Sequence, residues 1–214
     1  MQTEMVSEER GISIGRAALI VLISAIVLMG IGYFVGKQYF WDQYDARSVV
    51  DKQVEALKIL VEEDPDNLNN RLVLFDRFYI NGDVAAAEEQ LKVLKEKAKD
   101  HPDVVFRDSL MLLDKGETKG VAERLEKALK EKPLYVEARV LYAQVLTREG
   151  KYDKAISELD FALAVRPAAA DVILEKARVY KASGDKEKAL ESVDKALSMV
   201  PDFKDALDLK AQLK

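Results

Sequence analysis

Hydrophobic and polar residues follow two different patterns along this chain. Residues 17–36, AALIVLISAIVLMGIGYFVG, hold no charge in 20 positions. From residue 43 onward apolar residues instead recur at helical spacing among charged ones, the mark of amphipathic helices packed through one stripe. The second pattern is punctuated by Gly82, Gly116, Gly150 and Gly184, each 34 residues from the next. Counting each glycine as position 15, the units are 68–101, 102–135, 136–169 and 170–203. A constant interval of that length predicts an array of helix–turn–helix hairpins.

Other positions keep the same register. Position 32 is Pro133, Pro167 and Pro201, with Pro65 one phase earlier and Lys99 in the unit between. Position 27 is Leu94, Ala128, Ala162 and Ala196. Position 20 is Ala87, Val121, Ala155 and Ala189, and position 24 is Leu91, Leu125, Leu159 and Val193. The glycine closes the first helix of a hairpin, where positive φ suits a residue without Cβ. The proline follows the second helix and cannot extend it. Small residues mark close helix crossings, and the large residue at position 24 fills the space between helices.

These recurrences, clearest in VLYAQVLTREGKYDKAISELDFALAVRP at 140–167, resemble the tetratricopeptide repeat (TPR) family. The resemblance covers 68–203. It departs from the family at position 4, where Arg71, Val105, Arg139 and Ile173 replace a bulky aromatic residue. The expected fold is all-α: a single N-terminal transmembrane helix, then a TPR-type α-solenoid of about four repeats with capping helices. The expected segments are a tail (1–16), a membrane helix (17–36) and a juxtamembrane and capping segment (37–67). The repeats (68–203) and a closing helix (204–214) follow. Within 37–67 a capping helix is expected over 43–63, stopped at Asp64-Pro65.

At 1.5 Å per residue, residues 17–36 would span about 30 Å, the thickness of a bilayer's hydrocarbon core. Arg16 and Lys37 bracket the run, and Tyr33, Phe34, Tyr39, Phe40, Trp41 and Tyr44 resemble an interfacial belt. The run is too long for a signal-peptide core, and the bulky Lys-Gln-Tyr-Phe-Trp follows it, so an uncleaved anchor is expected. Flanking charges nearly balance. Only the tendency of short N-terminal tails to stay in the cytoplasm places the repeats on the extracytoplasmic side. Gly32 and Gly36 lie four apart inside the span, a spacing that lets a second membrane helix dock.

Composition narrows the function. Net charge is −5, and there is no basic stripe to displace counterions from nucleic acid. With no cysteine there is no disulfide, thiol catalysis or cysteine zinc site. His101, the one histidine, lacks partners at catalytic or metal-binding spacing and reads as a loop residue. No phosphate loop or dinucleotide fingerprint is present, and Gly120 reads as a helix-weakening residue inside the second helix of its unit. No enzyme, cofactor or metal site is expected.

By resemblance to the TPR family, positions 2, 5, 9, 12 and 13 of each first helix line a groove for a partner. Leu72, Asp76, Tyr79 and Ile80, then Phe106, Leu110 and Leu113, make one half apolar and aromatic. Gln144, Arg148, Arg178 and Lys181 make the other polar and basic. The family's carboxylate clamp, with Lys at position 5 and Asn at position 9, is absent. The expected function is a non-enzymatic, membrane-anchored scaffold that binds a protein partner. It would assist assembly or serve as an accessory subunit of a membrane complex, and homo-oligomerisation is open to it. The alternative is a lipid- or small-ligand-binding protein using the apolar half-groove, unless the chain's own capping helix fills that half.

Overall fold

The computed structural model describes residues 14–37 and 49–214, with side chains in the first helix from Leu22 onward. The chain divides into two units, residues 1–52 and 53–214. The first contains α1, Ile14–Gly36. Among the described residues no helix is long and apolar enough to cross a membrane. The structure therefore does not support the expected transmembrane helix 17–36, which rests on the sequence alone. Leu22, Ile26, Val27, Leu28, Met29 and Phe34, which point to all sides of α1, are each more than half exposed. Residues 1–13 of the tail and the aromatic residues Tyr39, Phe40, Trp41 and Tyr44 lie outside the described residues, as does the beginning of the expected 43–63 helix; α1 takes in the last three residues of the expected tail. What is described of that helix is α2, Val49–Glu63.

The second unit is built of antiparallel hairpins: α3 (Leu68–Ile80) with α4 (Val84–Ala98), and α5 (Pro102–Asp114) with α6 (Val121–Glu131). The pairs α7 (Val136–Arg148) with α8 (Tyr152–Val165) and α9 (Ala170–Ser183) with α10 (Lys186–Met199) follow. A last helix, α11 (Lys204–Leu213), packs on α9 and α10.

Each hairpin turns the same way because the same atoms close it. Asp83, Glu117, Lys151 and Asp185 donate their N–H groups back to Phe78, Leu112, Leu146 and Tyr180, at 2.8–2.9 Å. This six-to-one bond requires a left-handed residue just before it. That residue is the recurring glycine, with φ of +79°, +79°, +73° and +86° in chain order. The prolines stop α6, α8 and α10 two residues before Pro133, Pro167 and Pro201. Where Lys99 replaces proline, α4 runs one position further.

The register positions are the core. Ala87, Ala155 and Ala189 at position 20 are fully buried, as are Leu94, Ala162 and Ala196 at position 27 and Leu125, Leu159 and Val193 at position 24. At position 8, Phe75, Ser109 and Ala177 are fully buried too, with Ala143 nearly so. Each buried leucine contributes about 1.5–3 kcal/mol relative to exposure. Three apolar clusters succeed one another along the array, the first drawing in Val61 of α2, with Val54 and Leu57 half-buried against it.

The second hairpin departs from the pattern. Gly120 is not inside a helix, as the sequence suggests, but caps α6 at φ +73°. Helices α4, α8 and α10 begin two residues after their glycine, whereas α6 begins five after Gly116. A second left-handed glycine cannot be wound into the helix, so its first turn is lost.

Candidate functional site

The candidate site is the face of α5 and α7 that carries the predicted groove residues. Phe106 is half-buried, its ring 5.2 Å from that of Tyr135 and tilted by 50°. Leu110 and Val140 lie half-buried against the same apolar cluster. Gln144 and Thr147 follow along α7. The Thr147 hydroxyl donates 2.7 Å to the Ala143 carbonyl of its own helix. Phe106, Leu110 and Val140 thus border one apolar cluster, with the Gln144 amide one turn along α7 from Val140.

Of the remaining predicted residues, Asp76, Tyr79 and Arg148 join neighbouring first helices. Leu72 and Leu113 are buried, 5 % and 4 % exposed. Asp76 accepts from Arg107 Nε at 2.9 Å, and the same guanidinium donates 2.9 Å to the Asp103 carbonyl. Tyr79 donates to the Asp114 carboxylate. Burial, then that carboxylate, pushes its phenol up to about 12, so it stays a neutral donor at physiological pH. Arg148 donates 2.9 Å to the Leu113 carbonyl. Ile80 alone is widely exposed, at 73 %, at the end of α3.

The cations of the basic half are already engaged, though only Arg178 is paired with carboxylates. Arg178 pairs with Glu175 on its own helix and with Asp205 of α11 at 3.1 Å. Lys181 donates to Gln212 of α11. Arg178 and Lys181 thus tie the closing helix to α9, and an acidic ligand would have to compete with those partners.

Residues not singled out from the sequence complete the site. Tyr135 precedes α7, and its phenol is pushed well up by burial first and then by Asp103. Lys132 Nζ lies 4.1 Å from the centre of the same ring and 2.8 Å from Asp103. His101 is the N-cap of α5, its Nδ1 accepting from the Asp103 N–H at 3.3 Å. Nothing in the sequence distinguishes a capping histidine from a loop one, because the bond depends on where the helix starts. On α1, Gly32 has open space where a Cβ would stand, and Gly36 is its last residue. Among the described residues no group of three or more His, Asp or Glu is placed to hold a metal ion.

A family model described as a tetratricopeptide repeat matches residues 112–160 and 146–213. No curated protein matches the chain. Among solved structures it is similar to YrrB, described as a TPR protein with an unusual peptide-binding site. The identity is 21 % over 76 % of this chain and 84 % of that one, with a TM-score of 0.56. It is also similar to TTC0263, a thermophilic TPR protein of Thermus thermophilus, at 22 % identity over 77 % and 88 %, TM-score 0.62. A third is PilW, a type IV pilus biogenesis factor, at 16 % identity over 87 % and 92 %, TM-score 0.61. These likenesses are of fold. Taken with the family model, they support the tetratricopeptide repeat family for this helical array.

Proposed function

We propose that the chain is a non-enzymatic scaffold that holds a protein partner beside a membrane. In that role it assists assembly or serves as an accessory subunit of a membrane complex. The observation that carries the reading is the half-buried strip of Phe106, Leu110, Val140 and Gln144. It borders polar residues that are mostly satisfied within the array, so an apolar segment can settle there without stranding a charge. The peptide-binding description of YrrB and the pilus-biogenesis description of PilW are in keeping with it. The test is the double substitution Phe106→Asp, Leu110→Asp. Partner capture by the full chain is expected to fall at least tenfold while helical content by circular dichroism is kept. Unchanged capture would exclude the strip.

The anchor is part of the proposal. A helix apolar on every side, with its large side chains exposed, is suited to lipid or to another membrane helix, and Gly32 and Gly36 offer the latter a close approach. Removal of residues 14–36 is expected to shift the protein from the membrane fraction to the supernatant. Because the chain has no cysteine, Asp202→Cys gives a single label for orientation. A membrane-impermeant maleimide is expected to reach it from the extracytoplasmic side of intact cells. Protection until lysis would reverse the orientation.

A further inference from the structure

A cavity of about 420 Å³ opens between α4 and α5, with Leu91, Met111 and Leu112 among its lining residues. It occupies the side of α5 opposite Phe106 and Leu110, by the 100° step of the helix. No residue of the late-starting α6 is among its lining. In the next seam along the array the first turn of α8 reaches back to α6. There Tyr152 of α8 packs against the apolar cluster, and Lys154 reaches Glu126 of α6 at 3.5 Å.

The repeat register shows what is left without a partner. Position 25, on each second helix, faces this seam. Glu126 pairs with Lys154, Asp160 with Lys176 at 2.5 Å, and Asp194 with Lys210 at 2.6 Å. Lys92 holds the same position on α4 and lines the cavity, and among the described residues it has no carboxylate partner. Its candidates are Gly120, which has no side chain, and Asp108. The Asp108 side chain, 4 % exposed, is already held by Lys95 at 2.7 Å and by Arg124 of α6. Glu88 is likewise taken by Lys115. Glu96, one turn beyond Lys92 and also on the rim, has no cation partner among the described residues.

We infer that this seam is a second docking site, which takes an amphipathic helix of a partner protein. That helix inserts a large apolar side chain into the cavity lined by Leu91, Met111 and Leu112, with a carboxylate one turn away against Lys92. The free pair Lys92 and Glu96, four residues apart, matches the i, i+4 spacing at which a helix displays a carboxylate and an amine. Such a helix would repeat, with the charges reversed, the contact that Lys154 makes with Glu126. The inference is independent of the Phe106 strip, on the other side of α5.

The test uses the full chain, kept in solution with mild detergent and labelled at its methionine methyls. Met111 lines the cavity, and Met199 on α10 is the internal control. The probe is a synthetic 14-residue amphipathic helix bearing Leu and Glu four residues apart. A saturable shift of the Met111 methyl with Met199 unmoved is expected, at least tenfold weaker in Lys92→Glu. The same probe with its Glu changed to Lys should restore affinity to Lys92→Glu. No shift at Met111, or a shift indifferent to both charge reversals, would overturn the proposal. So would a Met111 shift that grows with protein concentration alone, which would make the occupant a second copy of this chain. A shift given by decanoate but not by the helix would also overturn it, assigning the cavity to a small apolar ligand.

Discussion

Hairpins α5–α6 and α7–α8 carry their glycines in the same phase and build different surfaces. In α7–α8 the second helix starts two residues after Gly150, and every register position is filled by a residue that fits. In α5–α6 the glycine interval is unbroken, yet the second helix starts five residues after Gly116 and is 11 residues long. The comparison teaches that a repeat can keep its sequence period while changing its shape. Gly116 sets where the first helix ends, and Gly120 separately sets where the second begins. The consequences are confined to one seam, where Asp108 stands in place of Tyr142 and Lys92 in place of Glu126.

The largest test of that difference is at position 24. Leu159 is fully buried in a complete seam, while Leu91, 6 % exposed, borders the cavity. Leu159→Ala is expected to cost about 3–5 kcal/mol and Leu91→Ala about 2–3 kcal/mol, since truncation beside an existing void loses fewer contacts. Urea unfolding at equilibrium compares them, and a reversed order would mean the two seams are equally packed.

A smaller effect belongs to Gly120. Its φ of +73° equals that of Gly150, and a Cβ at either would meet open space. Gly120→Ala and Gly150→Ala should therefore each cost about 1–2 kcal/mol, through backbone conformation alone. A near-neutral Gly120→Ala, with a gain in helical circular dichroism, would show α6 regaining its first turn.

Next is position 7. Asp108→Asn is expected to cost about 1 kcal/mol, because Lys95 and Arg124 are 46 % and 38 % exposed and water takes over part of their solvation. Tyr142→Phe should cost less, since the bond its hydroxyl donates to Glu126 is long, at 3.3 Å. The smallest expected effect is at position 8. The buried Ser109 hydroxyl has no hydrogen-bond partner, and α7 and α9 carry Ala143 and Ala177 there. Ser109→Ala should change stability by no more than about 0.5 kcal/mol, or raise it slightly.

Local periodicity determined much of this protein. Glycines, prolines and small residues at fixed phase act on their own backbone or on the nearest crossing, so the hairpins, their turns and their buried stripes could be read from the sequence. The apolar run of residues 17–36 likewise sets α1 apart from the array. Side-chain partnership was settled only by the fold. Arg178 and Lys181 read as a free basic cluster until α11 brings Asp205 and Gln212 against them. Leu72 and Leu113 read as groove-lining until the packing of neighbouring helices buries them. Nothing in the sequence marks Lys92, although its counterparts in the other seams are all paired. The physical reason is range: a helix or a turn is decided within a few residues, while the fate of a charge depends on groups about 15–35 positions away that only stacking brings into reach.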